Sequence, residues 1–324
     1  MDEAVPAIGG TRSGPGAGGI FRLEELSFTE LEALDRSRTV VLFTVSPLEE
    51  HGPHLPVGTD LFTADAICTK LAGRIIETRP GWTALIGPSL PFGASAFDRA
   101  GTLLAGARTV RNATLDYGKS LARHGFRYLL VLNGHGGPRH IVALEEAAAA
   151  VSRRYKVRML SVSGPVLWKF MRGHYSNRLE AILGRPFTAA EREALRGDTH
   201  AGMWETSLLL RARPELVNRN YAGLPAARFS LINMLHKNYP LQLGNRMGYI
   251  GTPSAACAEL GLAAERLFLE LVWELVLPAL DPANKKWRQT SFLYKIPFLR
   301  TAFPRFAAAV TAGLATWAIF HWFY

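Results

Sequence analysis

Residues 46–60 of this 324-residue chain, SPLEEHGPHLPVGTD, concentrate groups that can bind metal ions or transfer protons. They include the carboxylates of Glu49 and Asp60 and the imidazoles of His51 and His54. Such oxygen and nitrogen ligands suit divalent zinc, manganese or iron. In extended backbone Glu49 and His51 would point to the same side, so both could reach one centre. The alternative is a hydrogen-bonded turn in which the histidines only satisfy backbone groups.

Two later segments carry residues of the same kinds. NGHGG, residues 133–137, places His135 directly after an apolar run, and GDTHAGMWETS, residues 197–207, contains Asp198, His200 and Glu205. Taken singly, these could be a turn histidine and an acid that stabilises a helix N-terminus. Taken together, the three segments supply a ligand set suited to two metal ions, with His200 left as a proton carrier. Such a centre activates water and polarises a carbonyl, which favours hydrolysis of a C–N bond.

The elements that must position these residues alternate between apolar strands and amphipathic helices. The predicted strands are VVLFTV, TALIGPSL, YLLVLNG and VRMLSVSG, and the helices between them are DLFTADAICTKLAGRII, TVRNATLDYGKSLARHG and HIVALEEAAAAVSRRY. This alternation predicts a mostly parallel sheet covered by helices. Sites in such sheets form beyond the carboxyl ends of the strands, which is where the segments of Glu49 and His135 begin. Residues 167–197 are polar and basic and predict a mainly helical insertion beside the site, and a later helix is expected near residues 254–277.

The overall composition excludes several classes of protein. A hydrophobic content of 48% and a charged content of 20% are typical of a globular protein with a substantial core. Cys68 and Cys257 have no CxxC partner, which excludes a disulfide framework. The net charge of +10 would suit nucleic acid or an anionic membrane. However, the arginines are scattered and no nucleic-acid motif is present, so we expect no nucleic-acid partner.

The two ends of the chain differ from its body, which we place at residues 20–280. Residues 1–19 are rich in glycine, proline and alanine and lack the features of a signal peptide, so they predict a disordered lead. Residues 281–305 are basic, and residues 306–324 contain no Asp, Glu, Lys or Arg. As a helix, this last segment would span about 28 Å, which predicts a basic juxtamembrane linker and a C-terminal membrane anchor at the cytoplasmic face. The alternatives are an apolar helix docked on the protein, in a cytoplasmic location, or a helix lying in the membrane interface.

Three of these segments resemble the signature segments of the creatininase (creatinine amidohydrolase) family. They are LEEHGPHLPVGTD, NGHGG and HAGMWETS, in the family's order, and the resemblance covers roughly residues 36–278. It implies a three-layer α/β/α sandwich with a mostly parallel sheet, metal-dependent amidohydrolase activity and often a homohexamer. It also implies a binuclear site for two divalent ions (Zn, Mn or Fe), with Asp60 as the bridging ligand and His200 as the catalytic proton carrier. The implied metal ligands are Glu49, His51, Asp60, His135 and Glu205, and the implied supporting residues around them are His54 and Asp198.

The chain also departs from the family pattern. Creatininase carries a glutamate two residues after the second-motif histidine, where this chain has Gly137, so Glu205 is expected to close the site and creatinine is not favoured as substrate. Pro138 replaces a frequent asparagine, and Phe97 and Asp98 stand where a histidine is common. We therefore expect hydrolysis of an amide, lactam or formamide bond in a small molecule or short peptide, with no residue assigned to substrate binding. The alternatives are peptidase-like processing of a small peptide precursor and a non-catalytic, membrane-tethered binding protein.

Overall fold

A five-stranded parallel sheet forms the centre of the protein. The computed structural model describes residues 18–228 and 246–303, and within them the strands have the order β1-β3-β2-β4-β5. The strands are β1 (Gly19–Arg22), β2 (Thr39–Thr44), β3 (Thr83–Ile86), β4 (Tyr128–Leu132) and β5 (Arg158–Ser161). In the register of the sheet, Val41 of β2 lies opposite Leu85 of β3 and Leu129 of β4.

Helices connect the strands and cover both faces of the sheet. Those of the described residues are α1 (Phe28–Glu32), α2 (Thr59–Thr78), α3 (Ala107–Arg123), α4 (Pro138–Tyr155), α5 (Gly164–Met171), α6 (Ser176–Leu183), α7 (Ala189–Leu195), α8 (Met203–Ala212) and α9 (Ala258–Ala279). From β2 the chain first crosses to β3, on one side of β2. From β3 it then crosses back over β2 to β4, on the other side. In parallel sheets, this change of direction opens a crevice at the carboxyl ends of the strands.

The core lies in two layers because the strands are apolar on both faces. Val40 and Leu42 of β2 pack with α2 and α9, whereas Val41 and Phe43 pack with α3 and α4. All four side chains are fully buried, as expected for a parallel strand that is covered on both sides. The predicted three-layer α/β/α sandwich is therefore confirmed.

The structure adds elements that the sequence pattern did not predict. β1 is a four-residue strand that pairs with β3 at the edge of the sheet, and α1 is a single five-residue helix. The region 167–197 contains the end of α5 and the helices α6 and α7, in keeping with its predicted helical character. The domain boundaries and the status of this region as an insertion stay predictions. The proposed disordered lead falls, apart from its last two residues, outside the described residues.

The basic segment after α9 folds back onto the domain. The buried carboxylate of Glu145 in α4 accepts hydrogen bonds from the backbone N and the Oγ of Ser291, at 2.6 and 2.8 Å. Next to it, Glu146 contacts Arg300 and Thr301. Leu293 is 3% exposed and packs against α4. Within the segment predicted to be a juxtamembrane linker, residues 291–301 are thus docked on α4.

The prediction of a membrane anchor, and with it a location at a membrane face, is corrected by the structure. Among residues 18–228 and 246–303 no helix combines the length and the apolar character needed to cross a bilayer. The longest of them, α9, carries charged residues along its length, AELGLAAERLFLELVWELVLPA. The apolar segment 306–324, which suggested the anchor and the C-terminal helix, lies outside the described residues.

Candidate metal centre

The first two chemistry-bearing segments meet because they follow neighbouring strands. β2 and β4 are paired in the sheet, so residues 46–60 and 133–137 leave it at the same edge. Asn133 fixes the turn of His135: its Oδ1 accepts from the backbone N of His135 at 2.9 Å, and its Nδ2 donates to the carbonyl of His135 at 2.7 Å. Ser46 joins the two segments by donating from Oγ to Oδ1 of Asn133 at 3.2 Å.

The loop of residues 46–60 closes on itself and returns Asp60 to the site. The backbone N of Glu49 donates to the carbonyl of Val57 at 2.8 Å. Gly52 adopts a positive φ of 67°, a conformation that glycine adopts at little cost. The helix α2 begins at Thr59, so the buried carboxylate of Asp60 lies in its first turn. The proline and glycine residues of this segment therefore allow the chain to turn sharply and bring Asp60 back to the site.

The third segment is positioned by the N-terminus of α8. The buried carboxylate of Asp198 accepts hydrogen bonds from the backbone N of Met203 at 2.9 Å and of Trp204 at 2.8 Å. These bonds satisfy amides that a helix start otherwise leaves without partners. His54 contacts the same helix through Nε2 and the Oγ1 of Thr206, 3.0 Å apart. Both residues thus fix the turn of helix that presents Glu205.

Five residues converge at this point, with Asp60 at the centre. His135 Nδ1 lies 2.8 Å from Glu49 Oε2 and 3.2 Å from Asp60 Oδ2. His51 Nε2 lies 3.2 Å from Asp60 Oδ1 and 3.5 Å from Glu205 Oε2. Asp60 therefore directs one carboxylate oxygen at each histidine. The structure brings together all five residues that the family resemblance implied as ligands.

Backbone carbonyls fix the tautomers of three histidines around the cluster. His51 Nδ1 lies 2.9 Å from the carbonyl of Glu49, His135 Nε2 lies 3.2 Å from that of Ala94, and His200 Nε2 lies 2.7 Å from that of Glu50. Because a carbonyl only accepts, each of these nitrogens must carry the proton. In the neutral ring, the opposite nitrogen then presents a lone pair to the carboxylates. Metal-binding histidines are commonly oriented in this way.

The electrostatics of the cluster call for a cation. Burial lowers the pKa of His51, but Asp60 and Glu205 outweigh burial and raise it to about 10. Burial also lowers the pKa of His135, but the carboxylates of Glu49 and Asp60 outweigh burial and hold this pKa well above its ordinary value. The pKa of Glu205 is raised to about 8, chiefly by burial. Several buried carboxylates this close together are costly unless positive charge accompanies them.

The donor set fits two divalent ions. Glu49, Asp60 and His135 form one group whose ligand atoms lie within 4.8 Å of one another, and His51, Asp60 and Glu205 form a second. The two groups share only Asp60. Three buried atoms without a hydrogen-bond partner point into the cluster, and they are Glu49 Oε2, His51 Nε2 and Asp60 Oδ2. Because Asp60 belongs to both groups, the described residues offer two adjacent candidate sites for a divalent ion that share one carboxylate.

His200 lies against this cluster. Its ring centroid is 4.4 Å from that of His51, and its Nδ1 is 4.0 Å from Glu205 Oε2. It also forms a third possible ligand group with Glu49 and His51. Among the described residues, neither His54 nor Asp198 belongs to one of these groups, and their supporting roles stay predictions.

Some residues of the site were not assigned from the sequence. The backbone N of Phe97 donates to Glu49 Oε1 at 2.6 Å. His140 is fully buried, and its Nδ1 accepts from the backbone N of Ala94 at 3.2 Å while its Nε2 donates to the carbonyl of Val45 at 3.1 Å. It thereby orders the residue whose carbonyl binds His135. Nothing in the sequence pattern around His140 pointed to this role.

Gly137 leaves no room for a side chain next to His135, so the second segment cannot add a carboxylate to the cluster at this position. A Cβ atom at this position would lie 2.2 Å from His135 Nε2 and 2.8 Å from the carbonyl of Ala94. Any side chain there would displace the imidazole of His135. In this chain it is Glu205 of α8 that adds a carboxylate next to His51, and its role as a metal ligand stays a prediction.

Comparisons with known proteins find a matching family. The family model described as creatininase, creatinine amidohydrolase, matches residues 24–276. The chain belongs to the creatininase family. Among curated relatives, the mycofactocin precursor peptide peptidase of Mycobacterium ulcerans (strain Agy99) is 32% identical over 262 residues, or 78% of this chain and 90% of the relative. The creatinine amidohydrolase of Pseudomonas putida is 30% identical over 209 residues, or 60% and 72% of the two chains.

Solved structures of the family share the fold. A crystal structure of creatinine amidohydrolase covers 81% of this chain and 98% of its own, with a TM-score of 0.60 and 23% identity. Two similar structures are described as "Creatininase Mn" and as a mutant creatininase of "Zn-Zn type". The family membership and the donor set together support a hydrolase with metal-binding residues.

Proposed function

We propose that this creatininase-family chain is a metal-dependent hydrolase that cleaves an amide bond of a short peptide. The observation that carries the proposal is the cluster itself, in which two ligand groups share Asp60 and three histidines are oriented by backbone carbonyls. Glu49, His135 and Glu205 of the cluster line a cavity of about 1200 Å³. This cavity has room for a short peptide. Relatives from three species are named mycofactocin precursor peptide peptidases.

The ligands of the two ions are proposed to be the five clustered residues. Glu49 and His135 would hold one ion, His51 and Glu205 the other, and Asp60 would bridge them. Zinc and manganese, named in the descriptions of similar creatininase structures, suit this mixed set of imidazole and carboxylate ligands. When bound, two such ions would supply Lewis-acid activation of water and of the scissile carbonyl.

The chain's own residues supply proton transfer and orientation. The Nε2 proton of His200 is held by the carbonyl of Glu50, which leaves Nδ1 as the atom that accepts a proton and passes it to the leaving nitrogen. Phe97 keeps Glu49 in place through its backbone N. The apolar side chains of Trp168, Met171 and Phe187 line the cavity and limit the water around the reacting bond.

Creatinine is not the substrate that this site favours. Gly137 has no side chain to offer, and the geometry around His135 leaves no room for one. The cavity is also wide for a molecule of that size, and it is walled by α5, α7 and the segments around them. We therefore place the chain with the family members that act on larger amides.

The test is cleavage of a pool of short synthetic peptides by the protein loaded with zinc or manganese, with products identified by mass spectrometry. We expect new peptide termini with the wild type, lost on chelation and in Glu205→Gln. Glu215→Gln is the matched control, because Glu215 is exposed and pairs with Arg213 beyond α8. Cleavage that persists in Glu205→Gln, or no cleavage of any peptide by the loaded wild type, would refute the proposal.

A further inference from the structure

The cavity above the cluster has an uneven distribution of charge. Two acids of the metal cluster, Glu49 and Glu205, line it. Apart from the metal cluster, His200 and Asp198, the ionisable side chains that line it among the described residues are Arg172, His174, Arg192 and Arg196. Apart from the metal cluster and Asp198, the described lining of the cavity is therefore basic and contains no further carboxylate.

Only one of these arginines lacks an acidic partner within the described part of the chain. Arg192 Nη2 lies 2.6 Å from Glu180 Oε1, and Arg196 Nη1 lies 3.3 Å from Glu193 Oε2. Arg172 forms no ion pair with any residue of 18–228 or 246–303, and its side chain lies instead against an aromatic ring. Its guanidinium therefore keeps its hydrogen-bond donors for a group that enters the cavity.

An aromatic ring holds Arg172 in a defined position in the wall of the cavity. The guanidinium carbon lies 5.2 Å from the ring centroid of Trp168. The indole is fixed in turn, because its Nε1 donates to the carbonyl of Gly136 at 3.1 Å, directly after His135. The ring of Phe292, from the segment docked on α4, meets the indole edge-on with centroids 5.8 Å apart. A guanidinium stacked in this way loses less freedom when it binds an anion.

We infer that Arg172 is a specificity-determining residue that binds a carboxylate of the substrate. The planar guanidinium matches a carboxylate through two parallel hydrogen bonds, which a neutral amide cannot reproduce. This inference rests on the proposed function and narrows its substrate class to short peptides that carry a carboxylate near the scissile bond. The carboxylate is either the C-terminus of the peptide or an acidic side chain.

Binding of a matched set of probes tests this assignment on the metal-loaded protein. The probes are N-acetyl-Ala-Ala-Phe as the free acid, the same peptide as its C-terminal amide, and N-acetyl-Ala-Asp-Phe amide. Calorimetry gives the dissociation constants, and mass spectrometry of the same samples records cleavage. We expect at least one carboxylate probe to bind the wild type on the order of tenfold more tightly than the uncharged amide. Whether the free acid or the aspartyl amide is preferred identifies the source of the carboxylate.

Variants of Arg172 distinguish binding of the carboxylate by Arg172 from its direct binding by the metal ions. In Arg172→Leu the preference should fall below about threefold, and Arg172→Lys should keep only part of it because lysine lacks the planar fork. Arg154→Leu is the matched control, since Arg154 is exposed, lies over the ring of Tyr155 and does not line the cavity. No preference in the wild type, or the same preference in Arg172→Leu, would overturn the inference. Equal cleavage of all three probes would do so while leaving the hydrolase proposal intact. An Arg172-dependent preference without cleavage would count against the hydrolase proposal alone.

Discussion

The buried carboxyl of Glu145 makes the stability of this protein depend on pH in a calculable way. Glu145 is 2% exposed, and burial raises its pKa to about 7 although both hydrogen bonds from Ser291 act in the opposite direction. Arg300 and Arg288 are the charged groups that lower it further. In the unfolded chain the pKa is near the ordinary value of 4.5. The folded protein therefore binds the proton more tightly than the unfolded chain does.

The sign and size of the effect follow from this difference. Below pH 4.5 the carboxyl is protonated in both states, and its contribution is fully present. As the pH rises through about 7, the folded state has to ionise a buried group, and that contribution is lost. Because one pKa unit corresponds to about 1.4 kcal/mol, the loss amounts to about 3 kcal/mol.

The variant Glu145→Gln isolates this contribution. Its amide can accept from the backbone N of Ser291 and donate to Oγ of Ser291, so both contacts can persist without a titrating group. Urea unfolding followed by tryptophan fluorescence should show that the Glu145→Gln variant gains stability relative to the wild type by about 3 kcal/mol between pH 4.5 and 8. Subtracting the unfolding free energies of the two proteins at each pH removes the contributions of all other titrating groups. A difference that stays constant with pH within about 0.5 kcal/mol would refute the reasoning.

Three further predictions concern the site. His200→Ala should retain the bound metal but lower peptide cleavage by roughly 10²–10⁴-fold, and unchanged turnover would remove His200 from proton transfer. Asp198→Ala should cost about 1–3 kcal/mol in urea unfolding, because two amides at the start of α8 lose their acceptor, whereas Asp198→Asn should cost less. Gly137→Ala should displace His135 and weaken metal binding at least about tenfold by competition with a chelating dye. Gly223→Ala, where a Cβ meets no atom within 4 Å, is its control, and equal affinities in the two variants would contradict the steric argument.

The sequence predicted the parts of the fold that depend on local periodicity. The continuous apolar run of β2 is buried on both faces, and α2 and α4 follow their amphipathic patterns. It did not predict β1, because four residues at a sheet edge carry too short a pattern and acquire their structure by pairing with β3. The membrane interpretation went wrong for a related reason. Apolar and basic content alone does not reveal that residues 291–301 dock on α4, where Ser291 bonds to Glu145, 146 residues earlier in the sequence.

The candidate site was predictable in its residue types but not in its support. Glu49, His51, Asp60, His135 and Glu205 were accessible because metal ligands belong to few residue types and the three segments occur in the family's order. The backbone carbonyls that fix the histidine tautomers leave no trace in sequence, since every residue has one. The roles of His140 and Arg172 depend on contacts with Ala94 and Trp168, which only the folded chain brings about.

The segment after α9 links the periphery of the fold to the site. It lies beyond residue 276, where the family match ends, and it is held by two consecutive glutamates of α4. Through Phe292 it supports the indole of Trp168, whose Nε1 is bonded next to His135. The chain thus carries, outside the matched region, a contact that reaches the wall of the proposed substrate cavity.

Elemental analysis of the purified protein tests the proposal that Asp60 is a shared ligand of two metal ions. The comparison is wild type, Asp60→Ala and Asp65→Ala, because Asp65 lies in the same helix but bonds to Ser89 outside the cluster. We predict about two divalent ions per chain in the wild type and in Asp65→Ala, and loss of metal in Asp60→Ala. A wild type that holds no metal and takes up none on reconstitution, or an Asp60→Ala protein that keeps both ions, would refute the proposed two-ion centre.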